Sequence, residues 1–440
     1  VSAEALARAI VERLRASGHT AWMVGGCVRD LLLGRAPKDF DVATSAQPSE
    51  LLGLFPGAGQ VGAHFGVVLV REDGAQVEVA TFRSDLEYVD GRRPEAVRFE
   101  TDPRQDALRR DFTINALFLD PESGEVLDFT GGRADLEAKL IRAIGDPERR
   151  FREDHLRLLR AVRFAARLGF TIEADTFRAI QRLAPLIHSV SAERVRDEIG
   201  RILTEGGARR GFELLYTSGL LREILPEVAA MKGVAQPPEF HPEGDVWIHT
   251  LMMLGQLYEP SLTLALGVLL HDVGKPPTFR VAERIRFDGH VEKGVELAHS
   301  ILMRLRFSHD VVEQTEALIA NHMKFKDVPR MRESTLKRFL RLPDFEEHMA
   351  LHRVDCLSSH GDLGNYEFLR SKQRELPPEQ LKPAPLLTGK DLIAAGYRPG
   401  PIFGMVLSEI EDAQLEGLIK TPEEALRMAR ERLNAPIDVR

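Results

Sequence analysis

The run Val24-Gly25-Gly26-Cys27-Val28-Arg29-Asp30, followed by Lys38-Asp39-Phe40-Asp41, constrains this chain more than any other stretch. It reads as a strand, a glycine turn, a short helix and then two aspartates one residue apart. On a strand, residues i and i+2 point to the same side, so Asp39 and Asp41 are expected to aim both carboxylates at one point. Two carboxylates at one spot repel unless a cation lies between them. Oxygen ligands of this kind suit Mg²⁺, which binds through one or two carboxylates together with substrate phosphates. Gly25 and Gly26 let the backbone approach a phosphate closely, and the helix that follows offers N–H groups to an anion. Taken singly, Asp-x-Asp is common in solvated loops and Gly-Gly is an ordinary turn. Together they point to phosphoryl or nucleotidyl transfer.

The bulk properties fit a multidomain globular protein. The 440 residues suffice for two to four domains. Hydrophobic residues make up 43% and charged residues 29%, an ordinary composition for a soluble chain. Two cysteines far apart, Cys27 and Cys356, argue against a disulfide framework and suit a reducing cytoplasm. No apolar run reaches the length of a membrane span. The N-terminus opens on an amphipathic helix rather than a signal peptide, and the missing initial Met suggests trimming. The net charge of −8 does not favour a nucleic-acid partner, but RNA contact needs only a local basic surface. Arg149, Arg150, Arg152, Arg157, Arg160, Arg163 and Arg167 supply one; the plainer reading of that run is a salt-bridged helix face.

Along the chain, residues 4–16 read as a helix, 21–25 as a strand and 28–33 as a helix. Strands are expected near 39–43, 66–71 and 76–82. Ser84 to Leu108 reads as polar and irregular, with Asp90-Gly91 and Arg93-Pro94 as turn signals. From Asp146 the pattern is helical: Phe151, Leu156, Leu159, Phe164 and Leu168 recur at helical spacing. Pro-rich linkers fall at 236–238 and 376–385. Ten of the fourteen histidines lie from His241 onward.

The glycine turn, Leu31-Leu32-Leu33-Gly34 and Asp39-x-Asp41-Val42-Ala43-Thr44 resemble the head of the polymerase-beta-type nucleotidyltransferases. More narrowly, they resemble the class II tRNA nucleotidyltransferase and bacterial poly(A) polymerase family. The resemblance covers roughly residues 20–230 and returns in the tail at Leu387-Thr388-Gly389-Lys390-Asp391-Leu392 and Pro399-Gly400-Pro401. It implies an α+β fold: a mixed-sheet head with helices, then all-α neck, body, HD and tail domains. The expected division is a head over 1–145, a neck and body over 146–236, an HD domain over 237–375 and a tail over 385–440.

Within that resemblance, Asp39 and Asp41 hold Mg²⁺ and are catalytic, with Glu78 a candidate third carboxylate. Gly25, Gly26 and Arg29 face phosphate; Asp30 is the plainer partner for Arg29. In Arg109-Arg110-Asp111-Phe112-Thr113-Ile114-Asn115, Arg110 binds nucleotide and Asp111 orders the ribose or the arginines. In Glu153-Asp154-His155-Leu156-Arg157, Asp154 and Arg157 are expected at i and i+3 on one helix, where the plain reading is a surface ion pair. The functional reading is base selection. A carboxylate accepts from an exocyclic amino group and an arginine donates to a ring nitrogen. Cytosine and adenine present that pattern; uracil and guanine present the reverse and would leave groups unpaired. Arg160 and Arg163 match further nucleotide-contacting arginines.

His249, His271-Asp272 and Asp355 follow the order of an HD-type metal site, with Val273-Gly274-Lys275 attached; Asp362 is a nearby alternative to Asp355. Imidazole and carboxylate are both good transition-metal ligands. His290 and His322 match additional histidines of some HD domains. The expected metal is a transition metal such as Ni²⁺ or Mn²⁺, and the expected chemistry is phosphoester hydrolysis (phosphatase or 2′,3′-cyclic phosphodiesterase). The resemblance implies addition of CCA to the tRNA 3′ end from CTP and ATP without a nucleic-acid template. An A-adding enzyme or a poly(A) polymerase would keep the same motifs. A CC-only enzyme fits less well, because members of that kind shorten the segment that spans Ser84 to Leu108. A different class of reading makes the HD domain the working part and the head an RNA dock.

Overall fold

The computed structural model describes residues 2–60, 66–88 and 94–434. The first helix, Ala3–Ala16, starts where Ser2 Oγ accepts the Ala5 amide. It buries Leu6, Ala7, Ile10, Val11 and Leu14, the i, i+4, i+8 stripe that an amphipathic helix turns to a core. That stripe packs on a seven-stranded sheet.

The strands of the head are β1 (Ala21–Val24), β2 (Asp41–Thr44), β3 (Gly59–Gln60), β4 (Val67–Glu72), β5 (Ala75–Thr81), β6 (Arg83–Tyr88), β7 (Pro94–Phe99), β8 (Leu117–Leu119) and β9 (Val126–Asp128). The main sheet runs β3-β4-β5-β2-β1-β8-β9. β2 and β5 pair in parallel; the other neighbours are antiparallel. Met23, Val42 and Val79 are fully buried in the central strands, so the hydrophobic pattern fixes which face is inward and with it the register.

Two expectations are corrected here. Asp39 lies in a bend before β2, which begins at Asp41. The described residues of Ser84 to Leu108 are not irregular: β6 and β7 form an antiparallel pair and Pro103–Leu108 is a helix. Backbone groups make the β6–β7 ladder, so polar side chains such as Ser84 (which donates to Glu100 at 2.6 Å) do not prevent it. Phe99 lies against Gly66, where a Cβ would come within 2.5 Å of its ring. The Asp90-Gly91 turn signal and Arg93 lie outside the described residues.

The chain forms two compact units. One is 1–231 with 257–262 and 300–307; the other is 232–256, 263–299 and 308–440. In the first, the expected single helix through 151–168 is two, Pro147–Glu153 and Arg157–Leu168. Asp154 is extended (φ −145°, ψ 108°), and its Oδ1 accepts the Leu156 amide at 3.1 Å, a local bond that competes with helix continuation.

The second unit contains the helices Val246–Gly255, His309–Asn321 and Phe345–Ser358 and, from Thr263 on, the helix Leu262–Leu270. Further along it, Leu387, Leu392, Phe403, Val406, Ile410, Ala425 and Ala429 form a small core. The Leu-Thr-Gly-Lys-Asp motif has a structural role there. Thr388 and Asp391 make a capping box that starts the helix Gly389–Ala394. Among the described residues, no helix is long and apolar enough to cross a membrane.

Candidate active site and metal centre

Gly25 ends β1 with φ +82°, a conformation that L side chains rarely adopt. A methyl group there would lie 3.3 Å from Arg110 Nη1 and 3.8 Å from Asp41 Oδ2. The turn therefore sits directly against one guanidinium and one carboxylate. Asp41 pairs in register with Glu78 on β5. Burial, the Glu78 charge and then Asp39 push the Asp41 carboxyl up to about 6, against the opposing pull of Arg110. The expected cluster of Asp39, Asp41 and Glu78 is thus gathered around Asp41.

Arg110 is held by a residue that sequence reasoning passed over. Asp106 is buried and receives Arg109 at 2.8 Å and Arg110 at 2.9 Å. Burial alone would raise its carboxyl, but the two arginines hold it below the usual range. Nε and Nη2 of Arg110 both donate to Asp106 Oδ2, which leaves Nη1 beside the glycine turn.

Arg29 differs from its expected role. It is only 2% exposed, bonded to Asp30 at 2.8 Å and donating to Asn115 Oδ1 at 2.7 Å. Asn115 Nδ2 in turn donates to Asp111 Oδ1 at 3.1 Å, and Asp111 Oδ2 accepts Arg160 at 2.6 and 2.8 Å. Asp111 is held well below the usual carboxylate range: burial opposes this, but Arg160 and Arg157 prevail. Arg29 therefore braces the motif from beneath. Arg163 is likewise enclosed, 4% exposed, donating to Glu198 at 2.6 Å. Neither side chain presents a free surface to a phosphate.

Asp154 and Arg157 do not form the expected helical pair, because the helix breaks between them. Arg157 Nη1 lies 2.9 Å from Glu153 Oε2 and also donates to the Arg150 carbonyl; Nη2 donates to the carbonyl of Arg109. Asp154 is bound instead by Arg194 at 3.1 Å. The two remain neighbours through the backbone, where the Arg157 amide donates to the Asp154 carbonyl.

In the second unit, His271 and Asp272 follow the apolar helix Leu262–Leu270, with Asp272 2% exposed. His271, His290 and His322 each place Nδ1 against the carbonyl three residues earlier, at 2.7–2.9 Å. A carbonyl can only accept, so each Nδ1 carries a proton, and in the neutral rings of His290 and His322 the Nε2 keeps a lone pair. The Nε2 atoms of His290 and His322 are buried without a hydrogen-bond partner, 3.9 Å from Asp272 Oδ1, and that of His271 lies 3.1 Å from Asp272 Oδ2. Burial holds His290 below its ordinary pKa and, with the charge of His271 adding, takes His322 down to about 4. Three ligand groups result: His241, Glu243 and His249; His249, His271 and Asp355; and Asp272, His290 and His322, each with donor atoms within 4.8 Å of one another. Orphaned imidazole lone pairs beside buried carboxylates are what a divalent cation requires. Asp355 belongs to one group, whereas Asp362 accepts the Gly364 amide and joins none.

Both nitrogens of the fully buried His249 face carboxylates: Nε2 is 3.0 Å from Asp355 and Nδ1 is 2.7 Å from Glu243. His241 touches the same Glu243 oxygen at 2.9 Å. His241 and Glu243 were missed; His-Pro-Glu ahead of the first histidine helix was the available signal. A cavity of about 680 Å³ is lined by His241, His271, Asp272, His290, His322 and Asp355, and walled also by Lys275, Arg284, Arg286, Phe287 and Lys326.

Residues 21–142 match the family model of the Poly A polymerase head domain. Residues 169–232 match the probable RNA and SrmB-binding site of polymerase A, and 245–358 match the HD domain. A CCA-adding enzyme of Streptococcus pneumoniae serotype 19F is 31% identical over 417 residues, covering 95% of this chain and 94% of that one. The chain belongs to the CCA-adding enzyme family. Another family member, from Geobacillus stearothermophilus, is 45% identical over 220 residues, 50% of this chain and 54% of its own. The solved Bacillus stearothermophilus CCA-adding enzyme in complex with CTP aligns at a TM-score of 0.75 and 28% identity, covering 97% of each chain. Membership of the CCA-adding family accounts for the order of the head, neck and HD motifs. His241 and Glu243 lie just outside the HD match.

Proposed function

We propose that this chain adds CMP and AMP units to the 3′ end of tRNA, using CTP and ATP and releasing pyrophosphate. The observation that carries the reading is the carboxylate cluster at Asp41, set against Gly25 and Arg110. The crowding that raises the Asp41 carboxyl is relieved by a divalent cation, so the residues fit Mg²⁺, with Asp39 and Asp41 as its ligands and Glu78 beside them. When bound, Mg²⁺ neutralises triphosphate charge and makes the attacking hydroxyl easier to deprotonate. The 3′-oxygen forms a bond to the α-phosphorus as the bond to the β-phosphate oxygen breaks. Arg110, braced by Asp106, donates to the phosphates, and the glycine turn leaves room for them. Asp111, Asn115 and Arg29 keep Arg160 in place. Asp154 accepts from the amino group of C or A, and Arg157 donates to the adjacent ring nitrogen. The four-part division into head, neck and body, HD domain and tail is the working arrangement we adopt. A reducing cytoplasm suits the two buried free cysteines.

A second activity is favoured by the unpartnered Nε2 atoms of His290 and His322, which with His271 surround Asp272. We infer that His249, His271, Asp272 and Asp355, with His290 and His322, hold transition-metal ions such as Ni²⁺ or Mn²⁺ for phosphoester hydrolysis. Replacing Asp39 and Asp41 together by Asn tests the two readings. Nucleotide addition is lost and phosphodiesterase activity is kept if they are right. If the unmutated protein never adds nucleotides yet hydrolyses phosphoesters, the HD domain is the working part.

A further inference from the structure

The two side chains that read the base are held by different partners. Arg157 is gripped by Glu153 and the Arg150 carbonyl on the helix before it and by the Arg109 carbonyl. Asp154 is gripped from a separate element, the helix Ala192–Thr204, whose first turn carries Arg194. Arg194 Nη2 bridges both carboxylate oxygens, at 3.3 Å to Oδ1 and 3.1 Å to Oδ2. The Leu156 amide adds a third donor, to Oδ1. Asp154 itself sits on the helix break, with extended backbone. No regular turn of its own segment sets its rotamer, so these donors do.

Base selection depends on that orientation. An acceptor discriminates an amino group from a carbonyl only if its lone pair is held in the plane of the base, because hydrogen bonds weaken steeply off line. Oδ1 accepts from both the Leu156 amide and Arg194, whereas Oδ2 accepts from Arg194 alone and keeps acceptor capacity for a base. We propose that Arg194 is a specificity-positioning residue: it fixes the Asp154 carboxylate so that Oδ2 accepts from the amino group of cytosine or adenine. Arg194 touches Asp154 and not the nucleotide. The inference rests on the nucleotide-adding reading above.

The test is single-nucleotide addition to a tRNA lacking its terminal CCA, with CTP and with UTP, reporting the ratio of their kcat/KM values. Arg194→Ala lowers that ratio by about 10–100-fold, the scale on which a misoriented polar contact loses discrimination. Arg194→Lys keeps a cation without the planar guanidinium and recovers part of the ratio. In an Asp154→Ala background, Arg194→Ala changes the ratio by less than about 2-fold, because the two act as one unit. A merely destabilised neck lowers both nucleotides alike and leaves the ratio unmoved. An unchanged ratio in Arg194→Ala overturns the proposal, as does a full additional effect on top of Asp154→Ala. If the unmutated chain adds no nucleotide from CTP, the nucleotide-adding reading fails and takes this proposal with it.

Discussion

Asp41 and Glu78 stand in register across the parallel pairing of β2 with β5, and Asp41 also faces the glycine turn at Gly25. Like charges this close raise the Asp41 carboxyl to about 6, with burial the larger cause. A carboxyl raised in the folded state binds protons that the unfolded chain has released. Its contribution to stability is therefore present below about pH 4 and lost as pH rises through about 6. In chelator, Asp41→Asn should be the more stable protein above pH 6, by on the order of 1–3 kcal/mol, and should lose part of the slope between pH 4 and 6. Thermal unfolding across that range measures both. No pH-dependent gain in Asp41→Asn would contradict the crowded carboxylate cluster.

Arg163 and Glu198 form a buried ion pair, with side chains 4% and 5% exposed. Removing one partner strands the other charge, which costs about 3–5 kcal/mol. Arg163→Met is expected to destabilise by that amount in urea unfolding, while the double replacement with Glu198→Met recovers much of it. A small single-mutant effect would mean that Arg163 is not structural, and would restore its expected role as a nucleotide contact.

The imidazoles around Asp272 predict metal-linked stability. Mn²⁺ at about 100 times its dissociation constant should add roughly 2.7 kcal/mol to the state that binds it. Calorimetry of the chelator-stripped chain, with and without Mn²⁺, reads this as a rise in Tm. Asp272→Asn should abolish the rise. A Tm that ignores Mn²⁺ and Ni²⁺ alike would count against a metal centre there.

Glu243 meets His249 on the side away from Asp355. Such outer carboxylates typically contribute 10–100-fold to metal affinity by orienting the ligand. Glu243→Leu should weaken Mn²⁺ binding by about that factor in titration calorimetry, with Glu243→Gln intermediate. Equal affinities in all three proteins would remove Glu243 from the site.

What the sequence made legible was the order of the chemistry. The glycine turn with Asp41 was read from the motif itself, Glu78 was a candidate from a neighbouring strand, and Arg110 and the set His249, His271, Asp272 and Asp355 came from the family resemblance. Burial was less legible. Arg29 reads as a phosphate contact after the glycine turn and Arg163 as part of a basic run, yet each meets a partner 35 or more residues away, Asn115 or Glu198. The break at Asp154 was hidden because hydrophobic spacing continues through it; a side-chain bond to the Leu156 amide ends the helix, not a breaker residue. The β6–β7 pair was hidden because its ladder is made by backbone groups beneath polar side chains.

The central claim is tested most directly by extending three tRNAs: one lacking CCA, one ending in a single C, and one ending in two. Each is incubated with Mg²⁺ and CTP, ATP or both, and products are sized at single-nucleotide resolution. The account predicts stepwise completion to CCA on all three, followed by arrest. Extension of only the two-C tRNA by one A would mean an A-adding enzyme, and long A tracts a poly(A) polymerase. No addition to any of them would contradict the account.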